Sequence, residues 1–216
     1  MKYFYEETGM YVDWKQIKKL PEIDTLIDVG VGQYGTPELY KRFSTKKLVL
    51  IDPLDEAEKF CKDEMQNFNT IFFKTALGSV KGNKTINVEK RIGRSTILEV
   101  CDINFEDEPI DKRDIPINTL DDVIKDQDLG NIGLKIDTEG YELDVIKGSK
   151  KTLLYTKFVI AEVRHNHTSF KGVYKLHEFM NEMHKNGFLL TMILTAKPFI
   201  ADLCFEPKVE LSLPQA

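Results

Sequence analysis

The chain has 216 residues, 42% hydrophobic and 30% charged, the balance of a soluble globular protein long enough to bury a core. Its net charge of −5 argues against a nucleic-acid partner, because phosphate binding shows as a basic surface. Three dispersed cysteines, Cys61, Cys101 and Cys204, form no CxxC pair, which argues against a thiolate zinc site or disulfide framework and points to a reducing, cytoplasmic setting.

Residues 1–24 read as an aromatic-rich, helical leader, with Tyr3, Phe4, Tyr11 and Trp14 lidding the core and Pro21 ending the helix. The start is acidic and lacks a continuous apolar stretch, so neither a signal peptide nor a membrane span is expected. Residues 26–29 form a buried strand, 30–35 a glycine turn, and 36–43 a helix with Thr36 as N-cap and Pro37 at its first position. A strand at 48–51 closes on Asp52-Pro53. A helix over 56–65 follows, and then a third strand at 70–77.

Residues 79–117 differ in character. Two strand-like runs, 85–88 and 95–98, suggest a hairpin, and 102–114 reads as an acidic, irregular loop. This segment is expected to be an insertion on the sheet edge rather than a second domain, so 25–216 forms one domain behind the leader. Thr119 caps a short helix over 120–126. Residues 132–136 give a fourth strand, 141–154 a helix, 157–163 a fifth strand, and 173–186 a helix that stops at Gly187. Two successive strands, 188–194 and 200–205, end the pattern. The β-α alternation predicts a parallel sheet with helices on both faces, and the closing pair predicts one antiparallel strand.

Two segments carry chemistry. Gly30-Val31-Gly32-Gln33-Tyr34-Gly35 fits G-x-G-x-x-G between a strand and a helix, where glycines let the backbone turn tightly and approach a ligand. Asp52 ends the next strand, placed for ribose hydroxyls. The geometry suits NAD or S-adenosylmethionine, and charge separates them. Asp28 stands two residues before Gly30, and residues 28–40 contain no Lys or Arg. That pattern disfavours a pyrophosphate and favours the cationic S-adenosylmethionine. An NAD-dependent oxidoreductase is the rival reading, and a non-catalytic S-adenosylmethionine-binding module another.

The second segment is Leu134-Lys135-Ile136-Asp137-Thr138-Glu139-Gly140-Tyr141-Glu142, a strand that delivers Asp137 and Glu139 to the carboxyl edge of the sheet. With Leu26-Ile27-Asp28-Val29-Gly30-Val31-Gly32, Ile51-Asp52-Pro53, Thr75-Ala76-Leu77-Gly78 and Asn118-Thr119-Leu120-Asp121-Asp122, it resembles the FkbM-type methyltransferases, a branch of the class I S-adenosylmethionine-dependent family. The resemblance spans roughly residues 25–207. It implies an α/β, Rossmann-like class I fold with a seven-stranded, mostly parallel sheet and methyl transfer usually to oxygen. Carried over by position, Asp28, Gly30, Gly32 and Gly35 would hold the methionine portion, with Tyr34 adding bulk to their loop. Asp52 would take the ribose and Pro53 would lie beside the adenine. Thr75, Ala76 and Leu77 would edge the adenine pocket, and Asp137 would face the sulfonium.

An alcohol acceptor must lose its proton, so a base is needed. Asp137 and Glu139 are the first candidates. His165, with His167, on the loop after the fifth strand is the next. Arg164 could instead grip a substrate carboxylate or phosphate. Asp137, Glu139, Glu162 or a histidine could hold magnesium or manganese, but no compact ligand motif demands a metal and none is expected. The acceptor is expected to be a small molecule or sugar-like hydroxyl, with no membrane partner.

Overall fold

The computed structural model describes residues 3–5, 10–101, 111–165 and 170–208, with backbone only for 3–5 and 10–12. Its core is a seven-stranded sheet: β1 (Thr25–Val29), β2 (Lys47–Ile51), β3 (Asn69–Phe73), β4 (Ile132–Ile136), β5 (Thr156–Arg164), β6 (Phe188–Ala196) and β7 (Ile200–Pro207). The spatial order is β6-β7-β5-β4-β1-β2-β3. β7 runs antiparallel to both β5 and β6, while the pairs from β5 to β3 are parallel.

Strand residues alternate between two apolar layers, as the pleat requires. Ile27, Val49, Leu134 and Val159 face a core closed by α3 (Leu120–Val123), α4 (Glu142–Lys147) and α6 (Leu176–Lys185). Leu26, Leu48, Leu50 and Ile160 face the other core, closed by α1 (Pro37–Arg42), α2 (Asp55–Glu64) and the leader residues Ile17, Leu20 and Ile23. The two faces explain why β1 and β4 are buried at every position.

The structure corrects several expectations. The leader is only partly helical: besides a 3-10 helix at Trp14–Lys19, it adds strands Tyr3–Tyr5 and Met10–Val12 to the sheet beside β6. Trp14 does pack against the core; the side chains of Tyr3, Phe4 and Tyr11 lie outside the described residues. The third strand breaks at Lys74, because Thr75 N–H turns back onto Phe73 O, and Ala76–Leu77 joins a separate small sheet. In that sheet Gly82–Val88 pairs antiparallel with Asp111–Asn118, a strand whose first half lies in the 102–114 segment read as loop. Its run Asp111-Lys112-Arg113-Asp114 is charged because that end faces water; only Ile115 and Ile117 are buried. The expected partner, 95–98, contributes a single bridge, Asn87 to Thr96. The helix over 141–154 is two short ones, α4 and α5 (Lys150–Leu153), divided at Gly148 and Ser149. A Cβ on Gly148 would stand 2.1 Å from Gly78 O. Thr119 caps α3 through Asp122 N–H as expected, whereas Thr36 makes no side-chain cap bond.

Candidate active site

β1 and β4 are neighbours, and from them the chain order runs outward in opposite directions. Open α/β sheets bind ligands at such a switch point, beyond the carboxyl ends of the strands. Here the two strand ends are tied closely. Asp137 N–H donates to Val29 O at 2.9 Å, and on the other side of β1 Gly30 N–H donates to Ile51 O, at the end of β2, at 2.9 Å. Gly30 has φ 83°, and a Cβ there would stand 1.7 Å from Asp137 O. Only glycine fits that crossing.

A cleft with about 570 Å³ of empty space, its mouth included, opens above these ends. Its floor is Gly30, Gly32 and Asp52. Asp52 accepts Gly32 N–H at 2.9 Å on one oxygen and Leu54 N–H at 2.8 Å on the other. Burial lifts its carboxyl to about 6, against the pull of those two amides. Each oxygen keeps a second lone pair for a ligand hydroxyl. Pro53, Thr75, Ala76 and Leu77 form one wall. The 3-10 turn Ile92–Arg94 covers the glycine loop; a Cβ on Gly32 would stand 3.4 Å from Gly93 Cα. The turn therefore narrows the cleft above the glycine loop.

The far end is acidic. Asp137, Thr138, Glu139 and Tyr141 line it, and single carboxylate oxygens of Asp137, Glu139 and Glu162 lie within 4.8 Å of one another. Burial and the Asp137 charge raise Glu139 to about 7, against the pull of Arg164. The same two causes raise Glu162 to about 9. Two cations balance the group, one buried and one partly buried. Lys135 Nζ lies 3.2 Å from Asp137 and 3.4 Å from Asp202. Burial opposes its charge, but Asp137, Asp202, Glu162 and Asp28 hold the ammonium above its ordinary range. The Arg164 guanidinium pairs with Glu139 and lies 4.3 Å over the Phe170 ring.

Residues 25–190 match the methyltransferase FkbM domain. The chain belongs to the FkbM methyltransferase family. Among solved structures, it is similar to the methyltransferase FkbM of Methylobacillus flagellatus, with 12% identity, a TM-score of 0.57 and coverage of 93% of this chain and 49% of that one. It thus spans about half the length of that relative. A Listeria monocytogenes protein assigned as an S-adenosylmethionine dependent methyltransferase is 12% identical with a TM-score of 0.50, covering 90% of this chain and 97% of that one. At such identities these likenesses show the class I methyltransferase fold. No curated protein matches the chain in sequence.

Against this FkbM frame, the predicted residues divide. Gly30, Gly32, Asp52, Pro53, Thr75, Ala76, Leu77, Asp137 and Glu139 all line the cleft. Asp28, Tyr34, Gly35 and His165 do not. Alternation turns Asp28 away from Val29 and under the loop, where Tyr40 O–H donates to it at 2.6 Å; burial raises its pKa, with Lys135 and Tyr40 opposing. Gly35 makes room for that tyrosine: a Cβ there would stand 2.2 Å from Tyr40 Oη. Tyr34 is 70% exposed. His165 is exposed and its Nε2 lies 2.9 Å from Lys197 O, and His167 lies outside the described residues.

Three features escaped the sequence reading. Lys135 looked like an ordinary strand residue. The Ile92–Arg94 turn carried no signal for a cleft cover. Glu142 sat in the quoted motif without a role, yet it is buried and clamps the turn that carries Asp137 and Glu139: one oxygen accepts Thr138 N–H at 2.9 Å and Gly140 N–H at 3.0 Å, the other accepts Tyr174 O–H at 2.8 Å. Its place in the first turn of α4 was the available signal.

Proposed function

We propose that this FkbM-family protein transfers a methyl group from S-adenosylmethionine to an oxygen nucleophile on a small molecule or sugar-like acceptor. The observation that carries the reading is one cleft with two unlike ends: a glycine and Asp52 cradle at one, and the Asp137 and Glu139 carboxylates at the other, with a Glu162 oxygen within 4.8 Å of both. The cradle suits a ribose and the acidic end suits a cation. No Lys or Arg lies between residues 28 and 40, which speaks against a pyrophosphate ligand.

When bound, S-adenosylmethionine supplies a methyl carbon activated by its sulfonium. Gly30 and Gly32 let the backbone approach the methionine portion, Asp52 accepts from the ribose hydroxyls, and Thr75 to Leu77 border the base. Asp28 and Tyr40 act beneath, fixing the loop. Asp137, with Lys135 on one of its oxygens, presents the other to the cation. Glu139 takes the acceptor's proton, since a carboxyl near 7 is half ready at neutral pH. Glu162, raised to about 9 by burial and the neighbouring carboxylates, keeps its own proton at neutral pH and does not compete for the acceptor's. His165 drops out of this scheme. The trio is close enough for one divalent ion, but Lys135 and Arg164 already bring two positive charges, so the scheme uses no metal.

Calorimetric titration of ligand-stripped protein with S-adenosylmethionine, its demethylated product and NAD tests the reading. Binding of the first two without NAD is expected. Binding of NAD alone overturns it. Cofactor binding that survives Asp137→Asn and Glu139→Gln, with no turnover on any hydroxyl acceptor screened with unaltered protein, would make this a binding module.

A further inference from the structure

We propose that a second depression beside the cleft binds an anionic oxygen group of the acceptor, a carboxylate or a phosphate; the assignment to an acceptor rests on the methyl-transfer reading above. The depression lies between the end of β5 and the start of α6 and encloses about 930 Å³ of empty space, its open side included. Arg164, His165, Lys175 and His177 line it, with Leu176 and Met180 as apolar contacts, and no Asp or Glu is among its described lining residues. For a chain of net charge −5, a concavity whose described lining holds an arginine, a lysine, two histidines and no acid stands apart.

The nearby carboxylates are engaged elsewhere. Glu178 accepts Lys175 N–H at 2.7 Å. Glu142 accepts Tyr174 O–H at 2.8 Å. Glu139 takes Arg164 from the cleft side. Arg164 itself is held in direction by the Phe170 ring and by Glu139, and its buried Nε–H has no acceptor among the described residues. A rigid, partly used guanidinium fork is suited to a planar or tetrahedral oxyanion.

Arg164 also joins the two spaces. It lines the depression, and its partner Glu139 lines the cleft. An acceptor anchored by its anion over Arg164 and Lys175 would extend past Glu139 toward Asp137, where its hydroxyl is deprotonated. The anion therefore selects the acceptor, and the distance from anion to hydroxyl sets which oxygen is methylated.

The chain has four histidines, so side-chain NMR reads the site directly. The intact protein is titrated with inorganic phosphate and, separately, with acetate at matched ionic strength. His165 and His177 signals should shift and saturate with at least one anion, and the two arms say whether phosphate or carboxylate is preferred. His184, in the last turn of α6, should stay unmoved. Lys175→Gln, at an exposed position, should weaken the response roughly fivefold, the size of one exposed ion pair. Absence of a saturable shift with both anions, an equal shift at His184, or an unchanged response in Lys175→Gln overturns the proposal. Calorimetry with S-adenosylmethionine on the same samples separates the two readings. Cofactor heat without an anion shift sinks the subsite alone. An anion shift without cofactor heat sinks methyl transfer and leaves the anion site standing.

Discussion

Glu139 and Arg164 form an ion pair at the junction of the cleft and the basic depression, and Glu139 holds it from a strained backbone: its φ of 51° is positive, alone among the described non-glycine residues. Left-handed geometry costs a glutamate about 1 kcal/mol. The surroundings fix it, because Thr96 O–H donates to Glu139 O at 2.8 Å and Glu142 accepts Gly140 N–H. Glu139→Gln keeps the shape and removes the base. Turnover is expected to fall about 10²- to 10³-fold, with S-adenosylmethionine affinity within about twofold, which single-turnover kinetics and calorimetry would separate. Equal losses in both would place Glu139 in the cofactor shell.

Gly30→Ala brings a Cβ into the Asp137 carbonyl, 1.7 Å away. β1 and β4 must part to admit it. A loss of about 3 kcal/mol is expected, measured by urea unfolding. Gly82→Ala is the control, since a Cβ there meets nothing within 4 Å, and should unfold near the unaltered midpoint.

Asp52 titrates near 6 because burial outweighs the two amides it accepts. Its carboxylate is the form that serves both those amides and a ribose. Cofactor affinity should hold above pH 7 and fall as pH drops through 6. Asp52→Asn should flatten that dependence and weaken binding roughly tenfold or more, the worth of a hydrogen bond to a charged group. Calorimetry from pH 5 to 8 decides, and a flat profile in the unaltered protein would count against the ribose role.

Glu162 gains its proton far above its ordinary value of 4.5, at about 9. Between those values the folded chain binds more protons than the unfolded one, so this group's contribution to stability declines as pH rises from 4.5 toward 9. Glu162→Gln mimics the protonated form. It should stabilise the fold by several kcal/mol at pH 8, and the gain should shrink as pH falls and vanish near pH 4.5. Thermal melts of both proteins across that range check it; destabilisation at pH 8 would mean that Lys135 depends on the Glu162 charge.

Much of the fold was legible along the chain. Buried runs such as 132–136 and the β-α alternation reflect local periodicity, and the glycine turn, Thr119 cap and Asp52 are short-range chemistry that a sequence states outright. The cleft wall from Gly30 through Asp52 to Leu77 follows, because strand ends at one sheet edge are brought together by topology alone. Other parts depended on contacts between distant residues. The strand at Asp111–Asn118 hides behind a charged run because one half faces water. Alternation turned Asp28 beneath the loop, where Tyr40, on α1, gives it a partner. Lys135 stays charged inside the protein only because Asp137, just past the end of its strand, and Asp202 on β7 converge on it. Glu139 and Arg164 are 25 positions apart, and no local pattern could announce their pairing. Sequence by itself determined most of the central strands and the acidic strand end, since those rest on neighbours in the chain. Which carboxylate is paired, buried or open to a ligand was decided by the tertiary structure, because ionisation and access depend on what the fold packs against each group.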